Sequence, residues 1–341
     1  QTKIYTGNGT NDTAITFDGN SNLQPDFLWI KNRSEAQSHA IFDSVRGATK
    51  RLVTNANGAE STEATNLDSF DTNGFTVDNE LIVNGSSDNM VAWAWKAGGS
   101  SASSNSDGSI TSSVSANTTA GFSIVTYTGT GANATVGHGL GAVPQVIITK
   151  ARTPSGRSWG FYHASLGNTK NLYLDGTDSV STGGTFWNST TPTSSVFSVG
   201  TAGDSNGSTY TLVAYCFAEK QGFSRFGKYT GNNNANGNFI YTGFRPAFVL
   251  SKDSASGQEW HLIDNKRDPS NDSDNAQLSP NRNYSEATVK SNRGTMKTDF
   301  LSNGFKINTD GSHTNGTGTH IYMAFAESPF VSSGGIPTTA R

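Results

Sequence analysis

One ordered set of sequence signals occurs three times along this chain of 341 residues. Each copy opens with Tyr-Thr-Gly and continues with a strand that runs from a proline to a lysine, a second apolar run, a phenylalanine-centred strand and a closing strand. The openings lie at Tyr5, Tyr127 and Tyr229, so the spacings are 122 and 102 residues. Because similar sequences fold alike, this self-similarity constrains the chain to an array of three similar units.

The recurring runs have the character of β-strands. They are short and rich in Val, Ile and aromatic residues, and clusters of Gly, Asn, Asp and Pro separate them. In the first closing strand, Val91, Trp93 and Trp95 alternate with Ala92 and Ala94, which indicates burial on both faces or contact with a neighbouring domain. The sequence therefore predicts an all-β fold of three tandem antiparallel β-sandwich or jelly-roll-like domains.

Composition places the expected boundaries between these units. Residues 98–120 are so rich in Ser, Asn and Gly that we predict a flexible linker, although Ile110 and Val114 would allow an edge strand within it. The chain begins at Gln1 rather than at a methionine, which predicts a processed form or a part of a longer polypeptide. The predicted units are repeat 1 at 1–97, the linker at 98–120, repeat 2 at 121–222, repeat 3 at 223–330 and a C-terminal tail at 331–341.

The overall composition excludes several classes of protein. Ser, Thr, Asn and Gly make up 155 of the 341 residues, but 10% of the residues are aromatic, whereas disordered chains have few aromatic side chains. The net charge is −3 and the basic residues are scattered, so no nucleic-acid partner is expected. No apolar run approaches the roughly 20 residues that span a membrane, so no membrane insertion is expected.

Cysteine and histidine offer little chemistry in this chain. The single cysteine, Cys216, rules out an intrachain disulfide. It occupies a closing-strand position that holds Ala94 and Ala324 in the other copies, so we expect a small buried side chain rather than a nucleophile. The six histidines are scattered and none forms a pair with ligand spacing, so neither a histidine metal site nor another cofactor is predicted.

The first and third copies share a polar pattern that the second lacks. One interpretation is a site where carboxylates meet a sugar or a cation. The other is a set of ion pairs that holds the long connection between two strands, and repetition favours it because catalytic sites are seldom duplicated. The corresponding residues are Asp43, Arg46 and Glu60 in the first copy, and Asp264, Arg267 and Glu286 in the third.

A loop in the third copy is a weak candidate for calcium binding. Asp268, Asp272 and Asp274 bring together the oxygen ligands that hard cations prefer. The loop lacks the glycine and the terminal glutamate of an EF-hand, so a solvated loop is the first interpretation and calcium the second.

No catalytic arrangement is visible, so the chain is not predicted to be an enzyme. A glycosidase needs two carboxylates that face each other across a groove, and the sequence gives no reason to place any two of its acidic residues in this way. What remains is surface chemistry, in which aromatic faces stack on sugars and amides contact hydroxyl groups. Trp187 and Asn188, in a loop rich in Gly, Thr and Ser, are the candidates for ligand contact, and burial of Trp187 in the core is the alternative.

Long runs spread over nearly the whole chain resemble a known family. They include FDSVRGATK at 42–50, VAWAWKAGG at 91–99, VAYCFAE at 213–219 and the ending at 325–341. These runs resemble a repeat domain of unknown function, here in three copies, from tail-fibre-like virion proteins of marine bacteriophages. The resemblance implies a component of the virion surface that contacts the host and other virion proteins, and by analogy with similar fibres it implies a homotrimer.

Three functions follow as hypotheses. The first is a non-catalytic phage adhesin that binds a host-surface glycan. The second is a purely structural filament or capsid-decoration protein, and the third, less favoured, is a polysaccharide depolymerase.

Overall fold

Antiparallel strands joined by tight turns dominate the fold, as the abundance of turn residues predicts. The computed structural model describes residues 1–271, 275–293 and 296–326. The predicted all-β sandwich class is confirmed, with several antiparallel sheets and little helix. Within the described residues, no helix has both the length and the apolar character needed to cross a membrane.

The three repeats share most of their elements in the same order, but repeat 2 begins with two additional strands and repeat 3 contains a longer helix. Repeat 1 contains β1 (Thr2–Thr6), β2 (Thr13–Thr16), β3 (Phe27–Asn32), β4 (Ala40–Asp43), β5 (Lys50–Val53), β6 (Ser61–Thr62), β7 (Leu67–Asp71), β8 (Gly74–Val77), α1 (Leu81–Asn84) and β9 (Asn89–Trp95). Repeat 2 contains β10 (Ser103–Asn105), β11 (Ser112–Asn117), β12 (Phe122–Thr128), β13 (Ala134–Gly137), β14 (Val146–Ala151), β15 (Gly160–His163), β16 (Lys170–Tyr173), β17 (Ser181–Thr182), β18 (Val196–Val199), α2 (Gly203–Asn206) and β19 (Thr211–Phe217). Repeat 3 contains β20 (Ser224–Thr230), β21 (Phe239–Tyr241), β22 (Pro246–Asp253), β23 (His261–Asp264), α3 (Glu286–Arg293), β24 (Thr298–Leu301), β25 (Gly304–Ile307), α4 (Ser312–Asn315) and β26 (Thr319–Ala326).

Each repeat packs a large sheet against a small one. The large sheets have the strand orders β1-β9-β3-β4-β5-β6, β10-β11-β12-β19-β14-β15-β16-β17 and β20-β26-β22-β23, and the small sheets are β2-β8-β7, β13-β18 and β21-β25-β24. Apolar residues that alternate along the strands fill the space between the two sheets of a repeat, as period-two patterning requires. In repeat 1, Leu28 and Ile30 of the large sheet meet Phe75 and Val77 of the small one.

The Tyr-Thr-Gly opening joins the two ends of each repeat. In repeat 1, the Tyr5 hydroxyl donates to the carbonyl of Val83 in α1 at 2.6 Å. A Cβ at Gly7 would collide with the carbonyl oxygen of Gly85, so the backbones touch there and only glycine fits. The same bonds and contacts recur for Tyr127 with Ser205, Tyr229 with Thr314, Gly129 with Gly207, and Gly231 with Gly316.

The flexible linker predicted at 98–120 is wrong, because this segment extends the large sheet of repeat 2. β11 pairs with β12 along its whole length, with Val114 opposite Val125. Ile110 forms a bridge to Val136 and is buried, as is Val114. These two apolar side chains, which the sequence marked as possible strand residues, suffice to bind the segment to repeat 2 despite its polar composition.

The closing strands are buried on both faces, as their alternation predicts. In β9, Ala92 and Ala94 face the core of repeat 1, whereas Val91 and Trp93 face a cluster that all three large sheets share. The three sandwiches are therefore not independent of one another, because the outer faces of their large sheets form one central core.

The three repeats close into a ring around this central core. Backbone hydrogen bonds cross every junction, for example Glu60 N to Arg152 O, Val180 N to Ser254 O, and Glu286 N to Arg33 O. The last aromatic residues of the closing strands, Trp95, Phe217 and Phe325, meet one another with ring centroids 5.3 to 6.4 Å apart. These equivalent residues surround a pseudo-three-fold axis.

Candidate functional site

The strand directions give the ring two different ends. Gln1 pairs with Ala94, and Ala326 pairs with Pro246, so both lie near the aromatic contacts that surround the axis. We call this the termini end. The Tyr-Thr-Gly loops and the short helices α1, α2 and α4 lie at the other end of the strands, because Thr6 pairs with Asn89 at the start of β9. We call this the loop end.

The loop end also contains a polar cavity. Its volume is about 410 Å³, and it lies where repeats 1 and 3 meet. Polar side chains form most of its lining, namely Arg33, Ser34, Asn89, Asn275, Gln277, Glu286 and Lys290. The loop end therefore combines long polar loops with a concave polar surface.

The shared polar pattern of the first copy forms a buried ion network at the junction of repeats 1 and 2. The Arg46 guanidinium donates to the Asp43 carboxylate, and both side chains are fully buried. Arg46 also donates to Glu60 at 2.9 Å, and Arg152 of repeat 2 donates to the same carboxylate through two nitrogen atoms. The Tyr215 hydroxyl of repeat 2 donates to Asp43 at 2.7 Å. The network thus fastens one repeat to the next.

The third copy builds the equivalent network at the junction of repeats 3 and 1. Arg267 donates to Asp264 and, at 2.7 Å, to Glu286. Arg33 of repeat 1 holds the other oxygen of Glu286 at 2.7 Å. The indole of Trp93 donates to Asp264 at 3.1 Å, in the place that Tyr215 takes at the first junction. The structural interpretation of the repeated pattern therefore describes what these residues do in the fold.

The opposite charges of the first network stabilise one another. Burial disfavours the charge of Arg46, but attraction to Asp43 and Glu60 raises the pKa of Arg46 above its ordinary value. Burial would raise the pKa of Glu60, but hydrogen bonds from Arg152 and charge attraction to Arg46 lower it overall. Both groups stay ionised near neutral pH, whereas a general acid or base needs a pKa near the working pH.

Trp187 does not lie on the surface as predicted for a ligand contact. It is 1% exposed, and its ring packs against Phe186 at 4.7 Å and Tyr162 at 5.5 Å between centroids. The loop that carries Trp187 folds back over the core of repeat 2. The sequence did not reveal this, because apolar and polar residues do not alternate in the loop. Asn188 is half-buried with a φ of 50°, a left-handed conformation that asparagine tolerates in turns.

The calcium candidate is only partly described. The Asn275 amide donates to the Asp268 carboxylate, while Asp272 and Asp274 lie outside the described residues. In the described part of the chain, no group of three or more His, Cys, Asp or Glu side chains is placed to hold a metal ion. Cys216 is fully buried, and burial raises the pKa of its thiol.

Two exposed aromatic residues of β21 escaped the sequence analysis. Phe239 is 44% and Tyr241 is 64% exposed, while Ile240 between them is buried in repeat 3. The signal was present in the alignment of the repeats, because the equivalent outward positions hold Ala14 and Thr16 in repeat 1. A strand that carries large aromatic residues where its relative carries small ones is a candidate binding surface.

Three pairs of antiparallel sheets close into a ring, and repeated networks of charged groups hold the repeats together at the junctions. These features define an all-β repeat protein. The chain belongs to the family described as domain of unknown function DUF7483, whose model matches residues 1–329. One match covers all three repeats, so the family unit corresponds to the whole ring rather than to a single copy. Searches of curated proteins and of solved structures found no significant match.

Proposed function

We propose that this chain is part of a bacteriophage virion, a tail-fibre or spike segment that binds a host-surface glycan without catalysis. The resemblance of its long runs to tail-fibre-like virion proteins supports the virion origin. The virion surface, outside the cell, is its place of action, and other virion proteins are its permanent partners.

The separation of the two ends of the ring carries this proposal. The aromatic residues Trp95, Phe217 and Phe325 meet at one end of the ring, whereas the loop end presents the Asn-rich loop 232–238 and the cavity between repeats 1 and 3. In the proposed fibre, the loop end faces the host. Loops held on a rigid scaffold are the usual location of binding residues.

Amides and hydroxyls suit a glycan because they both donate and accept hydrogen bonds, as sugar hydroxyls do. The carboxylates of Asp43 and Asp264 are fully buried in the junction networks, so these two cannot serve as the pair that a glycosidase needs. Binding therefore accounts for the surface chemistry better than hydrolysis.

Incubation of the purified chain with lipopolysaccharide and capsule from a panel of marine bacteria tests the proposal. We expect saturable binding to the material of one or a few strains, with the polysaccharide length unchanged. The chain after heat denaturation is the matched control. Two results together would refute the adhesin proposal. The chain would bind no material of the panel, and phage particles that lack this ring would adsorb to host cells as well as wild-type particles do.

A structural role is the second candidate, and the ring itself favours it. The junction networks and the central core devote the most distinctive side chains of the chain to assembly rather than to recognition. A filament or decoration protein would bind no polysaccharide, yet its removal would disrupt the virion. A depolymerase, the third candidate, would shorten the polysaccharide in the same incubation.

A further inference from the structure

The outer face of the small sheet in repeat 3 bears a pair of aromatic rings. β21 pairs with β25 so that Phe239 lies opposite Lys306 and Tyr241 opposite Gly304. Ile240 points inward, so the rings of Phe239 and Tyr241 share the outward face. Leu301 of β24, opposite Gly304, is 37% exposed on this face.

Glycine at position 304 allows the Phe239 ring to lie close to the sheet. A Cβ at Gly304 would come within 2.8 Å of two carbon atoms of the Phe239 ring. The ring therefore lies beside the backbone of β25 at Gly304, while 44% of Phe239 stays exposed. We call Phe239, Tyr241 and Leu301 the aromatic platform.

Amide groups border the aromatic platform at the loop end. The Lys306 ammonium, opposite Phe239, donates to the Asn236 side chain at 2.6 Å. The Asn232 side chain accepts from the backbone of Asn234, and the Asn234 side chain from that of Asn236. These successive turns fix the loop 232–238, so its exposed amides stand in defined positions beside the rings.

The other two repeats do not expose this face in the same way. In repeat 1 the positions equivalent to Phe239 and Tyr241 hold Ala14 and Thr16. In repeat 2 the equivalent positions hold Thr135 and Gly137, and neither carries an aromatic ring. The aromatic platform is thus a feature of repeat 3 alone, and the scaffold does not require it.

We propose that the aromatic platform binds one or two sugar rings of a neutral or weakly charged glycan. The C–H groups on the face of a pyranose ring are weakly positive and pack on the negative face of an aromatic ring. The hydroxyl of Tyr241 and the amides of loop 232–238 supply hydrogen bonds to the sugar hydroxyls. This assignment rests on the proposed adhesin function and names the site that performs it.

The size of the aromatic platform favours a sugar over a protein partner. A stable protein interface buries about 800 Å² on each partner. Three partly exposed side chains offer far less apolar area, since a whole buried aromatic residue contributes only about 150–250 Å². A sugar ring, by contrast, is no larger than the aromatic rings on which it stacks.

Substitution of the two rings tests the assignment in the full chain. The double variant Phe239→Ala/Tyr241→Ala should lower the affinity for the bound polysaccharide by about tenfold or more, because it removes both rings on which the sugar stacks. Tyr241→Phe keeps the stacking face and should retain most of the affinity. Leu81→Ala removes an equally exposed apolar side chain of repeat 1 and should change nothing. Unchanged thermal midpoints would show that all variants fold.

The outcomes separate this site from the general proposal. Full polysaccharide binding by the double variant would refute the aromatic platform while the adhesin function stands. If the wild-type chain binds no polysaccharide, saturation-transfer NMR with methyl glucoside, galactoside, mannoside and N-acetylglucosaminide tests the platform alone. Transfer lost in the double variant would support the site, and absence of transfer to the wild type would refute it. Self-association of the wild type that the double variant abolishes would assign the surface to a second copy instead.

Discussion

Three buried lysines illustrate how a repeated residue acquires an unusual property. Lys31, Lys150 and Lys252 occupy equivalent positions near the ends of the proline-led strands, and none is exposed. Their ammonium groups donate to backbone carbonyls, for example from Lys150 to Arg157 at 2.7 Å and from Lys252 to Ser256 at 3.0 Å. Burial lowers the pKa of Lys31 to about 7, against the opposing effect of Glu286 and Glu35. It lowers the pKa values of Lys150 and Lys252 to about 8.

These lowered pKa values predict that stability increases with pH between about 7 and 9. The unfolded chain keeps its lysines protonated up to about pH 10.4, while the folded chain has already released protons. Folding therefore becomes more favourable as the pH rises through this window, and the gain is lost as the pH falls through about 7. Urea unfolding midpoints at several pH values measure the effect.

Lys31→Met is the variant that isolates one of these groups. It should reduce the slope of stability against pH, whatever it does to the stability itself. Lys96→Met, at an exposed lysine, is the control and should keep the wild-type slope. A wild-type stability that falls steadily between pH 7 and 9 would contradict the prediction. The sequence showed that a lysine ends each proline-led strand. The burial of that lysine was not predictable, because it depends on loops that cover the lysine only in the folded chain.

At the scale of elements, the strands that alternate most regularly were predictable from the sequence. β8, β18 and β25 coincide with the predicted phenylalanine-centred runs at 74–77, 196–199 and 304–307. β9, β19 and β26 extend the predicted closing runs 90–95, 212–217 and 320–325 by one residue at one or both ends. β10 was not predictable, and β11 was predictable only as a possible edge strand at Val114, because Ser and Asn dominate their composition and neighbouring strands supply the hydrogen bonds that hold them. The same limitation concealed the burial of Trp187, whose neighbours lie in strands remote in sequence.

The contact between the opening strand and the short helix gives a prediction for this scale. Gly129→Ala should destabilise repeat 2 by about 1–3 kcal/mol, because its methyl group would overlap the carbonyl oxygen of Gly207. Gly183→Ala, where a Cβ meets no atom within 4 Å, is the matched control and should be close to neutral. Equal free energies of unfolding for the two variants would show that the opening strand moves away from α2 without cost.

At the scale of the whole molecule, ring closure was beyond the reach of sequence analysis. The residues that meet at the junctions are far apart in the chain, such as Arg33 and Glu286, separated by 253 positions. Patterning predicted that the closing strands were buried on both faces, but it did not say what covered the second face. The central core answers that question, since each large sheet covers the other two.

The shared core predicts one cooperative unfolding transition and a monomer in solution. Each repeat contributes side chains to the central cluster, so no repeat can unfold without exposing apolar surface of the others. The outer faces of the three large sheets cover one another within one chain, so their burial needs no second copy, whereas the resemblance implies a homotrimer. Scanning calorimetry and light scattering measure the two properties. Three separate heat-absorption peaks, or the mass of a trimer, would contradict this prediction.

The meeting of Trp95, Phe217 and Phe325 around the axis has a consequence for how many sites the ring presents. In a trimer of identical chains, each surface residue appears three times, so every receptor site is multiplied by the symmetry. Here three different sequences occupy the three positions. The ring therefore offers a single copy of each surface feature. Under the proposed adhesin function, strong attachment to a cell depends on how many rings a particle carries, through their combined avidity.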